Sequence, residues 1–290
     1  MGSKFPYKWP FALDLLKRQY DANKTQRLLA FQTPYFDRLG PNIELRLFGE
    51  VGYLTFDPEN LEAILSTNFE GLLPKRINLG LKSLTDFLDY ELGSRSSALR
   101  SFLGEGIFTQ DGPRWKHSRE LLRRPFLRMQ YQNLKGFGEH IDDLISSLQN
   151  STGVVDPQPL FFRFTLATTT ALIFGQPIKS FENEEQHTFT SSFDYASFIS
   201  AIRIRLADFC WAYKPSKYVQ ACDRVKEYAS GFVKQALESN TNRKQATDSQ
   251  YAFIQDLFDE YNDPILVRDQ LVNVLIAGRD TTACLLSWTL

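Results

Sequence analysis

Two hydroxyl groups and one carboxylate lie within an apolar run near the end of the chain. Residues 277–282 have the sequence Ala-Gly-Arg-Asp-Thr-Thr, and mostly apolar residues flank them. A buried charge or hydroxyl is costly without a partner, and consecutive threonines are a poor choice for a helix interior. Gly278 removes a side chain at a point where a bulky group could approach closely. The combination of small residue, glycine, acid and alcohol predicts a helix that contacts a ligand.

The helix that would position these groups has a clear start signal. Asn262 or Asp263 is a plausible N-cap, and Pro264 follows in the first turn. One predicted helical face carries Val267, Leu271, Val274, Leu275, Gly278, Leu285 and Thr289. An alternative to the ligand hypothesis is a buried helix whose threonine hydroxyls donate to carbonyls one turn earlier.

A second pair of candidate residues lies on another predicted helix. Asp111-Gly112-Pro113 is typical of a helix start, and Trp115 and Arg119 follow one turn apart. The indole N–H and the guanidinium are donors without acceptors, and they suit a carboxylate. Taken alone, the two residues also fit a cation–π pair on a surface helix.

Together these segments resemble the cytochrome P450 superfamily of haem-thiolate monooxygenases. Ala-Gly-x-Asp-Thr-Thr resembles the oxygen-activating helix motif of that family, and Trp-x-x-x-Arg resembles its haem-propionate pair. Residues 103–109 resemble the approach to the propionate helix. Residues 268–271 and 287–289 are similar to the fungal branch that hydroxylates alkanes and fatty acids.

The resemblance implies haem b as cofactor and hydroxylation of n-alkanes or fatty acids with O2 and reductase-supplied electrons. It implies that Thr281 hydrogen-bonds dioxygen and that Asp280 supplies protons through water. The residues that it implies against the haem are Trp115, Arg119, Ala277, Gly278 and Thr281.

The expected fold is mainly α with a small β-sheet, namely a cytochrome P450 fold that ends in the oxygen-activating helix. Residues 43–47 alternate like a strand, and residues 51–56 are a candidate partner. Asp57-Pro58 then predicts a helix start. The whole chain, 1–290, is expected to be a single, incomplete domain of this family.

The family's axial cysteine is expected beyond the end of the chain, so no metal ligand is assigned within it. Cys210 and Cys222 flank a Lys-Pro-Ser-Lys segment without a glycine to expose a sulfur, and Cys284 is expected as a small core residue. The competing hypothesis is a truncated, catalytically inactive fragment with at most a binding role. In either case the fragment alone is expected to be inactive.

Composition limits the partners and the compartment. A net charge of -1 gives no general attraction to nucleic acid, and the three cysteines lack metal or disulfide spacing, which favours a reducing compartment. No run of apolar residues is long enough to span a bilayer. The resemblance implies the cytosolic face of the endoplasmic reticulum membrane, with residues 1–16 near its surface; without an anchor, a cytoplasmic chain is the alternative.

Substrate and protein partners are expected from two further regions. Phe87, Phe108 and Phe198 are the candidate substrate contacts, although aromatic residues at helical spacing also suit a plain core. Arg203 and Arg205 either meet a fatty-acid carboxylate or face water. The basic helix from Arg114 to Arg128 is expected to bind NADPH–cytochrome P450 reductase, the alternative being a solvated basic surface.

Overall fold

The computed structural model describes residues 3–25, 27–47, 50–67, 92–129, 134–150, 153–175, 184–241 and 252–290. Its contacts divide the chain into two compact units, Met1–Glu91 and Leu92–Leu290. No helix in the described ranges is both long and apolar enough to cross a membrane.

The first unit combines a small sheet with short helices. Its elements are β1 (Ser3–Lys4), a 3-10 turn (Pro10–Ala12), α1 (Leu13–Lys24), α2 (Leu28–Leu39), β2 (Asn42–Leu47), β3 (Glu50–Thr55), α3 (Pro58–Glu62) and a π-helical turn (Ala63–Thr67). β2 pairs with β1 in parallel and with β3 in antiparallel orientation. The predicted strand pair is confirmed, with Ile43 opposite Leu54. The predicted helix start is confirmed too, because the Asp57 side chain accepts from the backbone N–H of Glu59.

A small core holds this unit together. Phe5, Ala12, Leu15 and Ile43 are buried, and rings from α2 pack against them. The Asp14 carboxylate fixes the preceding turn, since it accepts from the backbone N–H groups of Lys8 and Trp9 at 3.1–3.2 Å and pairs with Arg18.

The described part of the second unit consists of helices joined by loops and contains no strand. Its elements are α4 (Ser94–Leu103), α5 (Gly112–Met129), α6 (Leu134–Gln149), α7 (Gln158–Phe174), α8 (Glu184–Arg205), a 3-10 segment (Ala207–Ala212), α9 (Ser216–Thr241), α10 (Ala252–Tyr261) and α11 (Pro264–Thr289). The expected mainly α fold with a small β-sheet is therefore confirmed.

Helix α11 runs through the core of the second unit and packs against α7, α9 and α10. Asp263 is its N-cap, accepting from the backbone N–H of Ile265 and of Leu266. The first half of the predicted apolar face is buried, with Val267 and Leu271 at 0% exposure. The prediction is wrong for the last turns, where Leu285 is 64% exposed.

The loop that joins α4 to α5 is fastened onto α11. The Asp269 carboxylate accepts from the backbone N–H of Glu105 at 2.8 Å. The Asn273 amide accepts from the N–H of Phe108 at 3.0 Å and donates to the carbonyl of Leu103 at 2.9 Å. Two side chains of one helix thus hold both ends of residues 103–108.

Gly104 is required for this contact. Its φ is +65° and its ψ is -144°, a backbone conformation that is almost restricted to glycine. A Cβ at this position would also overlap the Asp269 carboxylate. The loop can therefore approach α11 only because residue 104 has no side chain.

We predict that Gly104→Ala lowers the free energy of unfolding by roughly 2–4 kcal/mol, because it adds backbone strain and displaces a charged hydrogen bond. Urea unfolding followed by circular dichroism measures the change. Gly231→Ala is the matched control, because Gly231 lies within α9 with no atom within 4 Å of its hypothetical Cβ. That substitution is expected to stabilise the protein by about 0.5–1 kcal/mol. Equal unfolding energies for Gly104→Ala and the unmodified protein would contradict the close approach.

Candidate functional site

The two hydroxyl-bearing residues of the α11 motif lie on its exposed side. Thr281 and Thr282 are both exposed. The Thr281 hydroxyl donates to the carbonyl of Ala277 at 2.6 Å, which is the one-turn hydrogen bond of the alternative interpretation. Because the hydroxyl hydrogen is used inside the helix, the oxygen keeps its lone pairs available to accept a hydrogen bond from water.

Asp280 lies beside Thr281, and its side chain is 33% exposed. One carboxylate oxygen accepts from the Arg279 guanidinium at 3.1 Å. Burial raises the pKa of Asp280 above its ordinary value, the Arg279 charge lowers it, and the negative charge of Asp194 raises it. The carboxyl is consequently easier to protonate than one in water.

Arg279 is a residue of the candidate site to which sequence reasoning gave no role. It is 5% exposed, and its guanidinium donates to the Asp194 carboxylate of α8 as well as to Asp280. The rings of Phe162 and Phe193 lie 5.1 and 5.2 Å from the guanidinium carbon. The available signal was a cation directly before the motif acid, within a mostly apolar stretch.

Gly278 contacts the neighbouring helix α7. A Cβ at this position would lie 2.7 Å from Thr169 Oγ1 and 2.9 Å from Thr169 Cγ2. Thr169 is buried, so the glycine allows two helices to approach closely at this point. Ala277, the residue before it, is half-buried. A role of either residue in cofactor contact stays a prediction.

Trp115 and Arg119 share one face of α5, as their spacing predicts. The Arg119 guanidinium carbon lies 5.1 Å from the centre of the Trp115 ring. Trp115 is half-buried and Arg119 is exposed. Within the ranges that the structure describes, no carboxylate pairs with Arg119. The start of the helix also follows the prediction in part, since the Asp111 carbonyl accepts from the N–H of Trp115, while its carboxylate accepts from Leu92.

A buried hydrogen-bond network sets the orientation of α5 relative to α11. The Ser118 hydroxyl donates to Gln110 Oε1 at 2.6 Å and accepts from Gln270 Nε2 at 2.8 Å. The hydroxyl of Tyr261, at the end of α10, donates to Ser118 Oγ at 3.0 Å. The network therefore holds α5, which carries Trp115 and Arg119, against α11, which carries Asp280 and Thr281.

The candidate substrate residues fall in different environments. Phe108 is half-buried and packs against the main core, whereas Phe198 on α8 is 58% exposed. Phe87 lies outside the described residues. Of the two alternatives for Arg203, the one in which it faces water is wrong, because Arg203 is 3% exposed and donates to the carbonyls of Ala98, Ser97 and Tyr213. Arg205 is exposed and donates to the carbonyl of Ala201.

The cysteines and the basic helix follow the sequence prediction only in part. Cys210 and Cys222 are buried, and burial raises the pKa of the Cys222 thiol to about 11. Cys284 is exposed, so its assignment to the core is wrong; it lies in the last turns of α11, beside Leu285. The exposed cations of the basic helix include Arg114, Lys116, Arg119 and Arg123. The side chains of Arg124 and Arg128 lie outside the described residues.

Comparisons with known proteins point to one family. The family model "Cytochrome P450" matches residues 82–290. A "Cytochrome P450" of Arthroderma benhamiae is 36% identical over 99% of this chain and 52% of its own length. "Cytochrome P450 52A4" of Candida maltosa is 35% identical over 85% of this chain and 45% of its own length. The chain spans about half the length of the curated relatives it matches.

A solved structure shares the fold. The retinoic acid bound cyanobacterial CYP120A1 aligns with a TM-score of 0.67 at 15% sequence identity, over 99% of this chain and 58% of that chain. At this identity the likeness concerns the fold alone.

We predict that Gly278→Ala destabilises the protein by about 1–3 kcal/mol, because the added methyl overpacks the contact with Thr169. Thr169→Ala removes the two closest atoms and leaves a Cβ at 3.4 Å. The cost of Gly278→Ala should therefore fall by about 1 kcal/mol or more in the Thr169→Ala background. A double-mutant cycle of unfolding free energies measures this coupling. The same cost in both backgrounds would show that Gly278 does not serve the contact between the two helices.

Proposed function

The chain belongs to the cytochrome P450 family, and on that premise we propose that it is part of a haem-dependent monooxygenase. The proposed reaction is hydroxylation of n-alkanes or fatty acids with O2 and electrons from a reductase. The observation that carries the proposal is the α11 motif, where a partly buried carboxyl with a raised pKa adjoins an accessible hydroxyl. We further propose that residues 1–290 are part of one such domain.

The donors on α5 fit a haem propionate. Arg119 offers an exposed guanidinium that no carboxylate of the described ranges neutralises, and the indole N–H of Trp115 lies on the same helix face. When bound, haem supplies the redox chemistry by which dioxygen is activated. Ala277, Gly278 and Thr281 are the residues of α11 that we assign to the same cofactor.

The contribution of the chain's own residues to the reaction is proton transfer through Asp280 and Thr281. The Asp280 carboxyl is exposed enough to exchange protons with water, and its raised pKa lets it hold a proton nearer to neutral pH than an ordinary carboxyl. The Thr281 oxygen can accept a hydrogen bond from a water through which Asp280 passes its proton onward, because the hydrogen of Thr281 is donated to Ala277. The pair would thus provide a proton route from solvent toward the bound cofactor.

An apolar substrate agrees with the resemblance to the alkane and fatty-acid branch. We propose that Phe108 and Phe198 contact it, together with Phe87. Phe108 lies in the loop that Asp269 and Asn273 hold against α11. A substrate that contacts Phe108 would therefore lie beside α11, the helix that carries Asp280 and Thr281. Phe198 has accessible ring surface to contribute.

The electron donor is proposed to be NADPH–cytochrome P450 reductase, bound through the basic face of α5. Arg114, Lys116 and Arg123 present exposed positive charge there. Charge of this kind accelerates association with an acidic partner and loses its effect as salt rises.

A membrane surface is the proposed location, on the cytosolic side of the endoplasmic reticulum. Trp9 and Phe11 are 53% and 66% exposed in the turn that Asp14 fixes. Phe11 and Ala12 have positive φ values of 57° and 59°. This backbone presents an aromatic ring to solvent next to lysines, a combination suited to the interface of an anionic bilayer.

In the full-length enzyme we predict that Thr281→Ala diverts electrons from product to peroxide, because the accepting hydroxyl of the proton route is lost. Asp280→Asn should slow turnover by about tenfold or more while changing substrate binding little. The measurements are NADPH consumed, peroxide released and hydroxylated product formed from dodecane and lauric acid.

Thr289→Ala is the control for Thr281→Ala, because Thr289 makes the same one-turn hydrogen bond on the same helix. It should leave the ratio of product to NADPH unchanged. Equal coupling in Thr281→Ala and the unmodified enzyme would make the hydroxyl structural. Product from a bulky polycyclic compound alone would remove the alkane and fatty-acid assignment.

We also predict that Arg119→Ala weakens haem retention by roughly tenfold or more, since a propionate would lose a charge-assisted hydrogen bond. Transfer of haem to an excess of a haem-scavenging apoprotein measures the rate of loss. Arg114→Ala, one residue before Trp115 on the same basic helix, removes an equal charge and should change the rate little. Equal loss in both variants would refute the propionate assignment.

A further inference from the structure

Arg279 joins two carboxylates that lie on different helices. Its guanidinium donates to Asp194 on α8 and to Asp280, its neighbour on α11. Phe162 and Phe193 lie near the guanidinium, and only about 5% of the residue is exposed. The cation is therefore built into the core, and its charge is directed to these two acids.

The cluster holds one positive charge for two potential negative charges. The Arg279 Nε is buried and finds no acceptor within the described part of the chain. An ionised carboxylate is more costly the less water reaches it. The side chain of Asp194 is 54% exposed, against 33% for Asp280. When one proton binds to the cluster, Asp280 is accordingly the favoured site.

We propose that Arg279 and Asp194 are positioning residues for Asp280, with Asp194 sharing the guanidinium so that Asp280 remains able to take up and release a proton. The proposal rests on the proposed function, in which Asp280 supplies protons. In this proposal, Arg279 on α11 and Asp194 on α8 together determine how readily Asp280 takes up and releases a proton.

The electrostatics around Asp280 agree with this arrangement. Among the described residues, the charged groups that shift its pKa are Arg279 and Asp194, and they act in opposite directions. Arg279 stabilises the ionised form, whereas Asp194 opposes it both by like-charge repulsion and by occupying part of the guanidinium. Burial is the largest cause of the raised pKa of Asp280, and the charge of Asp194 adds to it.

The test is a titration of Asp280 in the full-length holoprotein labelled with carboxyl-13C aspartate. The resonance is assigned by its absence in Asp280→Asn. Arg279→Met should raise the pKa of Asp280 by about one unit or more, because the counter-charge is lost. Asp194→Asn should lower it, because the guanidinium then serves a single carboxylate. Arg279→Lys should lie between the unmodified protein and Arg279→Met.

Asp223→Asn and Arg224→Met provide matched controls, since both residues are exposed on α9. They should leave the titration of Asp280 unchanged. Shifts of the same sign in Arg279→Met and Asp194→Asn, or no shift in either, would overturn the proposal. Asp194→Asn changes an exposed group and keeps its shape, so this arm stays informative even if Arg279→Met folds poorly.

Turnover separates this proposal from the proposed function. If Asp280 supplies protons, the pH at which the rate falls should move with the titrated pKa in each variant. Opposite shifts in the titration together with unchanged pH–rate profiles would support the cluster and refute proton supply by Asp280. An effect of Asp280→Asn on turnover without opposite shifts would support the function and refute the cluster.

Discussion

The structure of the second unit depends on one constraint, namely that each polar side chain buried along α11 must find a partner on another element. Asp269 and Asn273 find theirs in the loop between α4 and α5. Gln270 finds Ser118 on α5 and Tyr261 of α10. Arg279 finds Asp194 on α8. Because an unpaired buried group costs free energy, these contacts select one arrangement of the helices around α11.

The sequence predicted those features that depend on neighbouring residues. Asp263 and Pro264 define the start of α11 within a single turn, and the alternation in residues 43–47 defines a strand. The unusual residue types of Asp280 and Thr281 in an apolar helix also marked this position, although their role toward a ligand stays a prediction. The partners could not. Arg279 and Asp194 are separated by 85 residues, and Gln270 and Ser118 by 152, so only the packed helices bring them together.

Gly278 shows that the sequence can predict a close approach to a helix without predicting which group approaches. A glycine in an apolar helix predicts that something approaches closely, and the structure provides Thr169 of α7. The absence of a side chain is needed for this contact whether or not a cofactor lies on another side of the helix. Close approach is a property of the backbone position, whereas the identity of the approaching group depends on the assembled fold.

Two arginines that are buried in the described part of the chain show why the type of partner, rather than burial, decides whether such a residue can take part in chemistry. Arg203 donates to the backbone carbonyls of Ser97, Ala98 and Tyr213, which remain neutral acceptors at any pH. Its contribution is therefore to fasten α8 to α4. Arg279 instead binds carboxylates, which exchange protons with solvent. A buried cation of this second kind affects the protonation of its partners, so a residue such as Arg279 can serve packing and, in our proposal, proton supply at the same position.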